Sequence, residues 1–307
     1  MNKKIHLSDL IVIFWKKKLS ISVITLIFAI SSVFYSLSIP NIYMSSTVLA
    51  PSYEQDSLSS TLSSFSSLAS FTGVQLPAGE SNKSQEAIAR IRSLAFFKNH
   101  FLPYINLEDL FAVKNWSPET KKIEYNNKIF NEKNKKWVRS VKPYQSIIPS
   151  DQEAYKIFTK NVLSLSEDRK TSYITLSIKH KSPIIAKEWN ELIIKMINES
   201  MRTEDMNTAS TSITYLNEKY ETTNIQSLKE AISKLLESQL QTLMLSSTNQ
   251  NYIFKVIDAP VIPEEKIAPN RALICILITF IGGFFAILFA LIRTVINKKT
   301  ILSLFDS

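Results

Sequence analysis

The sequence predicts an α+β protein in which two transmembrane helices flank an exported domain with a small membrane-proximal sheet and long projecting helices. Two uncharged apolar segments, residues 19–39 and 272–292, lie at opposite ends of the chain. Each has about 20 residues, enough for roughly 30 Å of helix and hence for one bilayer crossing. The segment between them, residues 40–271, combines alternating strand patterns with a long stretch that lacks glycine and proline.

The distribution of basic residues predicts the orientation of the two spans. The basic residues on the outer sides of the two apolar segments are Lys3, Lys4, Lys16, Lys17, Lys18, Arg293, Lys298 and Lys299. Because basic flanks stay in the cytoplasm, we expect tails 1–18 and 293–307 inside and residues 40–271 in the periplasm of a bacterial inner membrane. The net charge of +9 is then mainly a topology signal and does not indicate nucleic-acid binding.

A cleaved signal peptide is the alternative for the first apolar segment. The basic start fits a signal peptide, but the apolar run is long and residues 35–38 offer no small-x-small cleavage site. We therefore predict a retained anchor. The only cysteine, Cys275, lies in the second segment, which excludes an intrachain disulfide.

Residues that carry enzyme chemistry are sparse and scattered. The four glycines, Gly73, Gly79, Gly282 and Gly283, cannot form a phosphate-binding loop. The three histidines, His6, His100 and His180, show no metal-ligand spacing, and no nucleophile motif occurs. The sequence therefore predicts a protein that is not an enzyme and needs no cofactor or metal.

Three segments of the exported domain read as strands. Residues 172–180 alternate most regularly, with Ile174, Leu176 and Ile178 on one face. Residues 41–50 and 252–258 are the other two, and each lies close in sequence to an apolar segment. We expect these strands to form a small sheet near the membrane.

Helices are predicted over most of the remaining exported segment. Residues 84–97 have apolar side chains at helical spacing. A long helix is expected over about 183–221, because Ser182 suits an N-cap and Pro183 the first helical position. A break near 221–224, where threonine and asparagine favour a cap, precedes a second helix over about 225–245.

The far part of the long helix carries a thin apolar stripe that needs a partner. Ile213, Leu216 and Tyr220 belong to this stripe. The partner is either a second helix of the same chain or another copy of the chain, and both contacts are compatible with a long helix. Segment 57–71 is a further candidate partner, read as an amphipathic helix in preference to a serine-rich linker.

A basic segment with interleaved aromatic residues covers residues 114–142. Aromatic faces beside cations suit sugars and anionic polymers, so it is a candidate polysaccharide contact. Its candidate contact residues are Trp116, Lys121, Lys122, Lys135, Lys136 and Trp137. The alternative is a solvated insertion whose aromatic side chains are simply buried.

The residues around the second apolar segment resemble a known family. Residues 252–274 read YIFKVIDAPVIPEEKIAPNRALI, and Pro260, Pro263, Lys266 and Pro269 follow the proline-rich pattern that precedes the second span of Wzz-type polysaccharide co-polymerases, the chain-length determinants. The N-terminal IHLSDLIVIFWKKK and the PNIY at 40–43 are similar to the family's other end. Leu216 stands where the family has a YL-type helix position.

The resemblance implies a non-enzymatic, ring-like homo-oligomer. Such a protein sets the modal length of a surface polysaccharide, here expected to be the lipopolysaccharide O-antigen, together with a Wzy-type polymerase acting on lipid-linked polysaccharide. The chain is similar to the kinase-free class of the family. Two alternatives are an export accessory protein for capsule or another polysaccharide with the same fold, and a membrane-anchored periplasmic sensor.

Two features near the second span have a physical reading of their own. Proline lacks an N–H and fixes φ, so the proline-rich segment predicts a stiff extended connector. Gly282, Ala286 and Ala290 form a small-xxx-small row, extended by Gly283, on which another helix can pack closely. The neighbour is the first span, another copy or the polymerase; alternatively, the glycines only add flexibility.

Overall fold

The computed structural model describes residues 17–52 and 83–305, which form two compact units. The terminal unit comprises the chain up to Ile42 and from Lys266 onward, and the central unit is Tyr43–Glu265. The predicted helix over 57–71 lies outside the described residues, as do most of the lysines before the first apolar segment.

Helices and strands alternate irregularly along the described chain. The helices are α1 (Lys18–Ser38), α2 (Lys83–Ile91), α3 (Leu94–Phe96), α4 (Leu107–Phe111), α5 (Asp151–Ile157), α6 (Pro183–Thr222), α7 (Gln226–Thr248) and α8 (Arg271–Phe305). The strands are β1 (Ile42–Pro51), β2 (Val113–Ser117), β3 (Lys122–Tyr125), β4 (Phe130–Asn131), β5 (Lys136–Trp137), β6 (Leu163–Glu167), β7 (Ile174–His180), β8 (Phe254–Asp258) and β9 (Lys266–Ala268). Single turns of π-helix cover Phe97–Phe101 and Phe158–Val162.

The main sheet of the central unit has the antiparallel strand order β6-β7-β1-β8. Thr47 of β1 pairs with Leu176 of β7. The three strands predicted from the sequence are confirmed. Strand β7 starts two residues late because Ser172 has φ of 57° in the turn that follows β6. Strand β6 was not predicted.

The core of the central unit lies between this sheet and the first half of α6. Ile174, Leu176 and Ile178 are fully buried on β7, and Ile193 and Ile197 of α6 are fully buried with them. An aromatic cluster closes one side of the core: the rings of Phe101 and Phe158 lie 4.7 Å apart, and Trp189 meets Phe101 edge-on at 5.7 Å. Burial of each such side chain stabilises the fold by about 1.5–3 kcal/mol.

Two buried asparagines connect α6 to the backbone of the sheet. The amide of Asn190 donates to the carbonyl oxygens of Ser45 (2.9 Å) and Leu176 (3.2 Å), and its oxygen accepts from the Thr47 hydroxyl. The oxygen of Asn198 accepts from the N–H groups of Ile253 (2.8 Å) and Phe254 (2.9 Å). The buried polar atoms are thus satisfied while the helix is held in one position on the sheet.

The helices agree with the predictions except for the segment 84–97. Helix α2 ends at Ile91, and Ser93 caps the short helix α3 by accepting from the N–H of Phe96. The single helix predicted over 84–97 is therefore wrong, because a capping serine interrupts the apolar periodicity. The cap of Ser182 on α6, the first-turn Pro183 and the break before α7 are confirmed.

Candidate functional site

The helices α1 and α8 of the terminal unit are both long and apolar enough to cross a membrane. Helix α1 begins and ends within one residue of the predicted first segment. Helix α8 begins one residue before the predicted second segment and continues beyond its end. The two helices pack against each other, with Ile21, Ala286 and Ala290 buried between them.

The small-residue row of α8 is the surface that contacts α1. A Cβ atom added to Gly282 would lie 2.4 Å from the Cβ of Phe28, so only glycine fits at this position. At Gly283 the added atom would lie 3.7 Å from the Thr25 hydroxyl, an ordinary contact. Of the neighbours considered from the sequence, the first helix of the same chain occupies this row.

The proline-rich connector runs between strand β8 and helix α8. Pro260 is buried, and the carbonyl of Val261 accepts a 2.9 Å hydrogen bond from the Ser45 hydroxyl. Further along, Lys266 begins the short strand β9, and Pro269 follows a cis peptide bond. No helix interrupts residues 259–270, as expected of an extended connector.

Helices α6 and α7 form a hairpin beyond the core, with an open groove on each side. Tyr220, Leu236, Leu240 and Met244 contribute to the first groove, and Tyr215, Leu216 and Leu235 contribute to the second. Leu235 and Leu240 are five residues apart, about 140° around a helix, and therefore belong to opposite flanks. We call these the Leu240 flank and the Leu235 flank.

The stripe residues Ile213, Leu216 and Tyr220 are half-buried in this hairpin. Tyr220 packs under the Lys229 ammonium of α7, which lies 5.0 Å from its ring centroid. Other apolar side chains of the hairpin are more exposed, with Met244 at 66%. Helix α7 thus covers part of the predicted stripe, while both flanks of the hairpin remain open and carry exposed apolar side chains among polar ones.

The basic segment folds as two small hairpins, β2–β3 and β4–β5, which were not predicted. Lys121 and Lys135 end the two turns with φ of 52° and 48°, and Lys122 and Lys136 begin the following strands. All four lysines are exposed at the hairpin turns. The four candidate lysines of the sequence therefore fall at equivalent positions of two hairpins.

The aromatic side chains of the basic segment are mostly turned to one another. Trp137 packs edge-on against both Phe130 (5.3 Å) and Phe111 (6.0 Å), and Trp116 packs against Tyr43 (5.7 Å). Both tryptophans are half-buried. The structure separates the predicted contact residues into lysines that face solvent and tryptophans that pack within the protein.

A buried polar group joins the basic hairpins to the main sheet. Ser182 N–H donates to His180 Nδ1 at 3.0 Å, so Nε2 carries the proton and donates to the Asp109 carbonyl at 2.9 Å. Burial lowers the pKa of His180 and keeps the ring neutral. The Asp109 carboxylate accepts from the Tyr125 hydroxyl at 2.5 Å, and burial with this hydrogen bond raises the tyrosine pKa.

The Arg139 side chain forms hydrogen bonds that fix the loop following the second hairpin. Its guanidinium donates to the carbonyls of Ile147 (2.8 Å) and Ser146 (2.7 Å) and pairs with Glu153 at 2.7 Å. The Arg139 pair lowers the pKa of Glu153, which also forms a capping box with Ser150 at the start of α5. The Ser150-x-x-Glu153 spacing is a sequence signal for this cap.

No metal-binding cluster of three or more His, Cys, Asp or Glu side chains occurs within the described residues. Sequence reasoning also missed Asn190 and Asn198, because an asparagine on a helix gives no sign of whether it faces the core. His180 was noted only as a scattered histidine. Its partners, Asp109 and Ser182, become neighbours through folding.

Two family models match parts of the chain. Residues 3–98 match the family described as "Chain length determinant protein". Residues 222–295 match the family described as "G-rich domain on putative tyrosine kinase". A search of curated proteins found no significant match.

Solved structures with a similar arrangement include two co-polymerases. A full-length bacterial polysaccharide co-polymerase is 12% identical with a TM-score of 0.42, over 95% of this chain and 99% of the other. A fragment of the Salmonella Typhimurium polysaccharide co-polymerase WzzB is 12% identical with a TM-score of 0.31, over 74% of this chain and 100% of the other. Both scores are below 0.5, so the assignment depends on the family models. Residues 3–98 are thus similar to chain length determinant proteins, which confirms the resemblance read from the sequence, and residues 222–295 are similar to the G-rich domain family.

Proposed function

We propose that this protein is a non-enzymatic regulator of surface polysaccharide chain length. It acts as an oligomer in the bacterial inner membrane beside a Wzy-type polymerase that extends a lipid-linked polysaccharide. The O-antigen of lipopolysaccharide is the proposed polymer. The observation that carries the proposal is the match of residues 3–98, which include the apolar helix α1 and strand β1, to the chain length determinant family.

The proposed topology has both termini in the cytoplasm and the central unit in the periplasm. The lysine-rich outer flanks of the two apolar helices support it. The packing of α8 on α1 supports two antiparallel crossings, because the small-residue row is used within one chain. A polymerase in the same membrane would then meet the exposed outer faces of this helix pair.

The α6–α7 hairpin supports assembly through unlike surfaces. Leu240 and Leu235 are each about half exposed, and they lie on opposite flanks. Exposed apolar side chains on each side let one copy receive the Leu240 flank of a neighbour on its own Leu235 flank. Such a head-to-tail contact is heterologous and closes into a ring when the rotation between copies permits.

Deletion of the gene tests the chain-length function. We expect the surface polysaccharide, separated on a gel, to lose its modal length and to show a broad distribution. Restoring the gene should restore the mode. A change confined to capsule amount, with an unchanged O-antigen distribution, would favour the export accessory function over the proposed one.

Opposite charges introduced on the two flanks of the hairpin test the proposed assembly. Leu240→Lys and Leu235→Glu should each reduce crosslinked ladders of the membrane-inserted protein, because each places a charge in an apolar contact. Together they should restore the ladders, since the lysine of one copy then faces the glutamate of the next. Lys234→Glu, on the outer face of the same helix, serves as the control and should leave the ladders unchanged.

A double variant that stays as poorly crosslinked as the single variants would argue against a contact between the two flanks. Full ladders in both single variants would remove the hairpin from the assembly. The oligomer would then depend on other surfaces of the chain.

A further inference from the structure

The four lysines at the basic hairpin turns are exposed and available to a ligand. Lys121, Lys122, Lys135 and Lys136 form no ion pair with any carboxylate among the described residues. Lys121 and Lys135 have positive φ, a conformation that is uncommon for residues other than glycine and asparagine. Two turns thus present the same pair of adjacent lysines although the backbone favours a different residue there.

An apolar loop follows the second hairpin directly in the chain, after strand β5. Arg139 fixes the loop through the Ile147 and Ser146 carbonyls, which leaves the side chains of Tyr144, Ile147 and Ile148 exposed. Tyr144 is 80% exposed, although the loop around it is held by several hydrogen bonds. We call residues 138–148 the Tyr144 loop. Exposed apolar side chains on a loop fixed in this way indicate an interaction surface.

Chain connectivity limits how far the start of strand β1 can lie from the end of the first apolar helix. Trp116 of the first hairpin contacts Tyr43, and Tyr43 follows the last residue of α1, Ser38, by five residues. Five extended residues span at most about 17 Å. If α1 crosses a bilayer, the Tyr43 end of strand β1 cannot lie far from its surface.

We propose that the two lysine turns and the Tyr144 loop form a surface that docks on the anionic phospholipid headgroups of the membrane that holds the two apolar helices. Lysines near an anionic leaflet are attracted to it, each strengthening binding about fivefold. Tyrosine and isoleucine side chains enter the boundary between headgroups and acyl chains. The inference depends on the membrane anchoring and is independent of the role in chain length.

An anionic lipid surface fits these residues better than a polysaccharide. Stacking on sugars uses free aromatic faces, and the two candidate tryptophans, Trp116 and Trp137, pack against Tyr43, Phe111 and Phe130. Tyr144 is then the exposed ring of the proposed surface. The exposed side chains are aliphatic and tyrosine groups beside lysines. This combination matches the composition of membrane-interface segments.

A fluorescent probe on the Tyr144 loop tests the proposal in the full-length protein. The cysteine-free Cys275→Ser protein receives Tyr144→Cys, is labelled with an NBD dye and is placed in nanodiscs. A phosphatidylcholine with a nitroxide on its headgroup serves as the quencher. We expect several-fold stronger quenching when the discs contain phosphatidylglycerol than when they contain phosphatidylcholine alone, and a loss of that difference at high salt.

Two matched variants complete the experiment. Replacing Lys121, Lys122, Lys135 and Lys136 by glutamine should reduce quenching in phosphatidylglycerol discs to the level seen in phosphatidylcholine discs. The same dye at Asn224→Cys, in the connection between α6 and α7, should stay unquenched in both lipids.

Three results would overturn the proposal. They are equal quenching at position 144 in both lipids, no quenching in either, and a dye response to soluble alginate without one to anionic discs. The last would assign the surface to an acidic polymer instead. The readout is lipid contact and does not depend on polysaccharide length. A variant that loses docking but keeps a normal polysaccharide length, or one that docks but loses the modal length, therefore separates this inference from the proposed chain-length function.

Discussion

Asn198 shows how a single side chain can fix a helix on a sheet. Its oxygen accepts from two consecutive backbone N–H groups, at Ile253 and Phe254, and its nitrogen donates to the Phe254 carbonyl at 3.3 Å. Together with Asn190, it connects α6 to three strands or their ends. The sequence does not reveal this, because polar residues on a helix usually face solvent.

We expect Asn198→Ala to lower the free energy of unfolding by about 3 kcal/mol, because it leaves buried backbone groups without partners. Urea denaturation in detergent, followed by tryptophan fluorescence, measures the change. Asn207→Ala on the exposed side of the same helix should alter stability by about 0.5 kcal/mol or less. Equal effects of the two substitutions would show that the hydrogen bonds of Asn198 contribute little.

His180 gives the central unit a stability that depends on pH. Its pKa is lowered in the folded protein by burial, whereas in the unfolded chain it is about 6.5. Between these two values the unfolded state binds more protons, so stability is lost as pH falls below about 6.5 and the loss ends at the folded pKa. Protonation would also set an N–H of the ring against the Ser182 N–H.

We therefore expect the urea concentration at the midpoint of unfolding to decrease as the pH is lowered from 7 to 5.5. His180→Gln, which does not titrate, should be less stable at pH 7 but show a flatter dependence over the same range. The carboxylates of Glu153 and Glu204 have lowered pKa values and lose their stabilising effect only at more acidic pH. A slope that persists unchanged in His180→Gln would mean that other groups produce it.

At the scale of elements, the packing of α8 on α1 requires Gly282 and tolerates change at Gly283. A methyl group at position 282 meets the Cβ of Phe28, which no side-chain rotation can move away. At position 283 the same methyl group makes an ordinary contact with Thr25. Adjacent glycines thus have different roles, which their sequence context alone does not distinguish.

Gly282→Ala should separate the two helices, whereas Gly283→Ala should leave them packed. A disulfide between cysteines at positions 21 and 290, in a Cys275→Ser background, reports the packing, because Ile21 and Ala290 are buried together in the helix contact. We expect slower disulfide formation in Gly282→Ala than in Gly283→Ala. Equal rates would show that the helix pair absorbs the methyl group without separating.

At the scale of the whole molecule, the sequence predicts the apolar helices, the long α6, its capped start and three strands of the main sheet. These elements follow from local periodicity and capping, which act over a few residues. The two basic hairpins were missed because their strands are short and their turns use lysine where glycine or asparagine is usual. The position of Asp109 against His180 depends on contacts between residues distant in sequence, which no local pattern records.

Orientation in the membrane is the prediction on which the proposed function most depends. If basic flanks remain in the cytoplasm, the exposed Asn127 of the central unit faces the periplasm and Lys4 faces the cytoplasm. In a Cys275→Ser background, a membrane-impermeant thiol reagent added to cells with a permeable outer membrane should label Asn127→Cys. Lys4→Cys should react only after the inner membrane is broken. The opposite pattern would place the central unit on the side away from a periplasmic polymer, and the chain-length function would fail with it.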